Sequence, residues 1–136
     1  MRTAVDTSVI LDVLTADRVH GASSEAALRR AAQQGSLVVG ECVLAEITPA
    51  FPGGSAQIDE FLADWAIDFT PSTKDCAVLA GAMFSSYLRR RSKADPRRLV
   101  PDFLVGAHAK LLADRLLARD RGYFRDYFKG LTLLEP

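Results

Sequence analysis

The chain alternates short apolar runs with segments of helical periodicity, and that alternation restricts its fold more than any other feature. The runs are Thr3 to Asp6, Leu37 to Val39, Ile67 to Phe69, Arg115 to Ala118 and Leu131 to Leu134. Each has the length of a short buried strand, while the stretches between them carry apolar residues three and four positions apart. Parallel strands need crossover connections of this kind, whereas antiparallel neighbours can be joined by a tight turn. The order therefore begins βααβααβ and predicts an α/β domain, with a mostly parallel sheet of four to five strands covered by helices on both faces.

Boundaries follow from punctuation. Ile10, Val13 and Leu14 set a first helix after Asp6, and Asp17 to Gly21 reads as a loop. A serine cap at Ser23 or Ser24 opens a second helix that Gly35 ends. Val43, Leu44 and Ile47 place another over Cys42 to Phe51, interrupted by Pro49, which lacks a backbone donor. Past the break Pro52-Gly53-Gly54, Ile58, Phe61, Leu62 and Trp65 mark a helix from Ser55 to Ala66. Ser72 to Asp75 has the form of a capping box before a long amphipathic helix through Cys76, Leu79, Ala80, Met83, Phe84, Tyr87 and Leu88. The basic run Arg89 to Val100 is too polar for core and reads as a loop, and Pro101-Asp102 opens a nearly all-apolar helix to about Ala113.

With 136 residues and no internal linker or repeat, the whole chain, 1–136, is expected to form one domain. Lys plus Arg and Asp plus Glu are both 17, so net charge singles out no partner class. Cys42 and Cys76 lie within helical patterns without metal-type spacing and read as reduced, buried thiols. Neither a signal peptide nor a membrane-length apolar run is visible, and a cytoplasmic location is the expectation.

In a parallel sheet ligands bind beyond the carboxyl ends of the strands, and the acids can be placed against that rule. Asp6 ends the first run, and Asp120 follows the apolar end of Leu116-Leu117-Ala118. Asp102 sits at a helix start, where unpaired N–H groups and the positive dipole end favour a carboxylate. Glu46 lies about one turn into the helix that leaves the second strand. All four converge on one edge. Taken singly, each also has an ordinary structural explanation as a helix cap, a solvated helix face or a turn residue. Together they would repel and raise one another's pKa unless a cation neutralises them, and all-oxygen ligands select hard ions such as Mg²⁺ or Mn²⁺.

The segments Val5-Asp6-Thr7-Ser8, Val43-Leu44-Ala45-Glu46, Pro101 to Ala109, Leu117 to Phe124 and Leu131 to Leu134 resemble the PIN-domain nucleases, and among them the VapC-type toxins of prokaryotic type II toxin–antitoxin systems. The resemblance spans the chain. It implies a PIN-like three-layer sandwich and a magnesium- or manganese-dependent endoribonuclease whose metal-binding, catalytic quartet is Asp6, Glu46, Asp102 and Asp120. Metal-activated water would cleave RNA phosphodiester bonds, leaving 5′-phosphate and 3′-hydroxyl ends. Thr7 and Ser8 match positions that hydrogen-bond the acids or water in such enzymes. A cognate VapB-like antitoxin and a homodimer are implied as partners. Ala118 and Gly122 depart from the family's frequent Thr and Asp on either side of the fourth acid, and Asp126 is either a late substitute or a plain surface residue.

Arg89, Arg90, Arg91, Lys93, Arg97 and Arg98, with Arg119, Arg121 and Arg125, form a basic set suited to a phosphate backbone, or else a solvated helix end. Tyr123, Phe124 and Tyr127 either stack on unpaired bases or pack in the core. His108, six residues past Asp102, reads as a packed histidine, and His20 as a loop residue. Nucleotide-binding glycine loops are absent. Two other classes compete: a phosphatase-like domain, disfavoured because Ser8 stands where a second acid is needed, and a non-catalytic RNA-binding or scaffold protein of the same fold.

Overall fold

The structure, a computed structural model, describes residues 1–93, 97–119 and 122–136. Its five-stranded sheet is built from β1 (Arg2–Val5), β2 (Ser36–Val39), β3 (Ile67–Phe69), β4 (Arg115–Leu117) and β5 (Thr132–Leu134). The order is β3-β2-β1-β4-β5, and every pairing is parallel. Thr3 faces Leu37 on one side and Arg115 on the other, which puts the first strand at the centre. Both faces of that strand are covered, so Thr3, Ala4 and Val5 are buried without polar alternation, as a parallel strand requires.

The helices are α1 (Thr7–Leu14), α2 (Gly21–Gln34), α3 (Glu41–Ile47), α4 (Ser55–Asp64), α5 (Lys74–Arg90), α6 (Val100–Leu112) and α7 (Gly122–Tyr127). Where sequence reading ran α3 on to Phe51, the helix stops at Ile47 and Thr48–Ala50 forms a 3₁₀ turn. Pro49 enforces that change by removing a donor. The α2 helix starts at Gly21, ahead of both candidate serines, because Ser24 is fully buried and its hydroxyl serves a neighbouring helix. The cap of α5 is Thr73, whose hydroxyl accepts from the Cys76 N–H at 3.3 Å, one residue along from the expected Ser72 box. Arg89 and Arg90 are the last turn of α5 rather than loop, and α7 was not foreseen.

Strand β1 adjoins β2, reached through α1 and α2, and also β4, reached only after α6. The boundary between β1 and β4 is the place where the chain's progression across the sheet reverses, the position at which open parallel sheets bind ligands beyond the strands' carboxyl ends. Two fully buried aromatics close the layer formed by α5, α6 and α7: Phe103 and Phe124. Phe103 packs edge-on to Phe84, Tyr123 and Tyr127 at centroid distances of 5.5–6.0 Å. That aromatic cluster anchors the start of α6, and with it Asp102.

Candidate functional site

Asp6 is placed by two backbone bonds. Its N–H donates to the Leu117 carbonyl at 2.9 Å, extending the β1–β4 ladder by one residue. Its own carbonyl accepts from the Val9 N–H at 3.2 Å, so the chain turns directly from strand into α1. With the backbone fixed on both sides, the side chain projects at the switch point. There the Ser8 hydroxyl donates to Asp6 Oδ2 at 2.7 Å.

Glu46 reaches the same edge from α3, and the Thr7 hydroxyl donates to its Oε1 at 3.1 Å. Desolvation of its carboxyl raises the Glu46 pKa above the usual value. The Thr7 bond opposes the rise, while the charges of Asp6 and Asp102 add to it. Asp102 stands at the third position of α6, where its Oδ2 accepts from the Leu99 N–H at 2.8 Å and so caps the helix. Its main-chain carbonyl accepts from the Tyr123 hydroxyl at 3.2 Å.

Thus Glu46 lies within electrostatic reach of two other expected acids, Asp6 and Asp102, and Thr7 and Ser8 bind Glu46 and Asp6. Asp120 lies outside the described residues, as does Arg121. Among the described residues no three acidic, thiol or imidazole side chains are drawn to a single ligating point. The donor set is nonetheless all carboxylate and mutually repulsive, which is the chemistry that a hard divalent cation relieves.

Sequence reading missed Asp12. It is 3% exposed, on the inner face of α1, and its two oxygens accept from Arg119 Nε and Nη2, both at 3.0 Å. Ser24 completes the group by donating to Asp12 Oδ2 at 2.7 Å. Arg119 is held further above its ordinary pKa by the Asp12 bond, with smaller contributions from the charges of Asp17 and Asp6. A lone acid between Leu11 and Val13 was the available signal, because a buried charge needs a partner.

The basic residues separate. Arg119 belongs to the Asp12 pair, and its backbone N–H reaches the Ser8 hydroxyl at 3.4 Å. Arg90 and Arg98 lie over the rings of Tyr127 and Tyr123. Arg89, Arg91, Lys93 and Arg97 are exposed along the end of α5 and the segment beyond it, and Arg125 is exposed on α7. Phe124 is wholly core and offers no face to a base, whereas Tyr123 and Tyr127 are half-buried.

His108 is buried with Nε2 2.7 Å from the Thr70 carbonyl. A carbonyl can only accept, so Nε2 carries the proton and the ring is a structural tie. Cys76 is buried, while Cys42 is only partly so, its thiol pushed up by desolvation and by Glu41 and Glu46.

Residues 3–129 match the family described as PIN domain. The chain is a PIN-domain protein. No curated protein matches it in sequence. The PIN domain is similar in structure to VapBC2 from Rickettsia felis bound to a DNA fragment from their promoter, with TM-score 0.73 and 17% identity over 100% of this chain and 99% of that one. FitAcB from Neisseria gonorrhoeae gives 0.66 and 16% identity, with 97% and 96% covered. VapC20 from Mycobacterium tuberculosis, a sarcin-ricin loop cleaving toxin, gives 0.62 and 16% identity, with 98% and 99% covered. At these identities the likeness establishes the fold: a five-stranded parallel sheet between helical layers, spanning this PIN domain end to end. Among the described residues no helix is long and apolar enough to cross a membrane.

Proposed function

We propose that this PIN domain is a divalent-metal-dependent endoribonuclease of the VapC toxin type. The observation that supports the reading is that Asp6, bonded through its N–H to the end of β4, is followed by Thr7, which binds Glu46, whose pKa is raised by desolvation and further by the charges of Asp6 and Asp102. Asp6, Glu46 and Asp102, with Asp120, would hold Mg²⁺ or Mn²⁺. Such an ion supplies activated water and charge neutralisation for in-line attack on a phosphodiester. The chain's own groups orient the carboxylates: Ser8 fixes the Asp6 rotamer, Thr7 fixes Glu46, and the α6 cap fixes Asp102. Cleavage leaves 5′-phosphate and 3′-hydroxyl ends.

The RNA path in this reading follows Arg89, Arg90, Arg91, Lys93, Arg97 and Arg98, together with Arg119 and, outside the described residues, Arg121. The structural likeness to the VapBC and FitAcB assemblies supports a small cognate VapB-like antitoxin as partner, and a homodimer in the cytoplasm accompanies the same reading.

The deciding experiment compares wild type with Asp6→Asn on total cellular RNA, with Mg²⁺, with Mn²⁺ and with chelator. Wild type is expected to cut only with metal, and the variant to lose cutting while keeping its melting temperature. Cleavage by Asp6→Asn equal to wild type overturns the assignment, and RNA binding without cleavage under either metal establishes the scaffold alternative.

A further inference from the structure

A cleft of about 340 Å³ lies between the end of α5, the entry to α6 and α7. It is at the small end of the range for ligand sites, room for one nucleotide rather than a duplex. Its wall is built from two guanidinium–ring pairs: Arg98 stands 4.3 Å above the Tyr123 centroid and Arg90 5.1 Å above that of Tyr127. The exposed carboxylate of Asp126 completes it. We infer that this cleft is a guanine subsite, holding one unpaired guanine of the RNA while the adjoining phosphodiester lies at the acid rim. The inference rests on the ribonuclease reading above.

Three features support the assignment. A guanidinium seated on a tyrosine ring is held flat, and flat guanidinium and aromatic surfaces are the kind on which unpaired RNA bases commonly stack. An ionised carboxylate can only accept hydrogen bonds. Guanine alone among the four bases presents two adjacent donors, N1–H and the N2 amino group, matching the two oxygens of Asp126. Adenine and cytosine place an acceptor beside their one amino group, and uracil flanks its single N–H with two carbonyls, so each would set an acceptor against the carboxylate. Lastly, the cleft is joined to the acids: the Tyr123 hydroxyl binds the Asp102 main chain, and Arg98 immediately precedes Leu99, whose N–H the Asp102 carboxylate accepts.

The test uses metal-free Asp6→Asn full-length protein, so that binding is read without cleavage. The probes are fluorescein-labelled oligouridylates carrying one guanine, one inosine or one adenine, with fluorescence anisotropy as the readout. The guanine strand is expected to bind at least about tenfold more tightly than the adenine strand, with inosine, which lacks the N2 amino group, in between. Adding Asp126→Asn should level guanine and adenine, and Arg98→Ala should weaken all three strands, since each base loses its platform. Equal binding of guanine and adenine, or a guanine preference that survives Asp126→Asn, overturns the subsite. Because catalysis is read separately by restoring Asp6 and metal, a failed subsite leaves the nuclease assignment standing, and a failed nuclease shows as absent cleavage.

Discussion

Asp12 grips Arg119 through both carboxylate oxygens, with Nε and Nη2 each at 3.0 Å, across 107 residues of sequence. The bond joins α1 to the end of β4, and Arg119 is the residue before Asp120. Replacing Asp12→Asn keeps the shape and the Ser24 contact but removes the charge from a two-point pairing. The expected loss is about 1–2 kcal/mol, a lower urea midpoint with unchanged slope. Arg119→Lys should not restore it, because an ammonium cannot make the same planar fork.

The Glu46 carboxyl titrates above its ordinary value of 4.5 in the fold. The folded protein therefore binds this proton more tightly than the unfolded chain does. Its contribution to stability is fully present below the unfolded value and is lost as pH rises through the folded one. Glu46→Gln should accordingly raise the urea midpoint of metal-free protein near neutral pH and leave it unchanged at about pH 4. A lower midpoint at neutral pH would show that the carboxylate is favourably placed there.

Metal should reverse that sign. A cation bound by Asp6, Glu46 and Asp102 needs Glu46 ionised, so binding releases its proton and strengthens with pH. Mn²⁺ at about 100 times its dissociation constant should add about 2.7 kcal/mol of stability. The resulting rise in melting temperature should be larger at neutral pH than at acid pH, and absent in Asp6→Asn.

Gly106 of α6 faces Phe128, the residue that follows α7. A methyl group there would run into the ring of Phe128, which is 3% exposed and has nowhere to retreat. Gly106→Ala should destabilise by about 1–3 kcal/mol through overpacking. Tyr123 and Tyr127 should loosen with it, seen as reduced near-ultraviolet dichroism.

The strands were legible because each is a brief, mostly apolar run between helical segments, and the positions of three acids were legible because they stand where those runs or helix starts place them. Local rules reached Asp6 and Asp102, whose neighbours in sequence also supply their bonds, Ser8 and Leu99. Asp12 was missed because its partners, Ser24 and Arg119, come from other elements and only packing brings them together. The cap at Thr73 in place of Ser72 was a choice between adjacent hydroxyls, and Ser72 instead donates its backbone N–H to Glu41. Short helix α7 carries too few turns for periodicity to register.

The central position of β1 has a consequence for how the protein is made. Asp6 is made well before its partners, for its strand is bonded on one side to residues 36–38 and on the other to residues 115–117, and its own N–H awaits the Leu117 carbonyl. A nascent chain can pair β1 with β2 but cannot form the β1–β4 boundary until β4 has been synthesised. Pairings so distant in sequence are slow to close. Whatever chemistry the acids at that rim perform is therefore withheld until the chain has been made at least as far as Leu117.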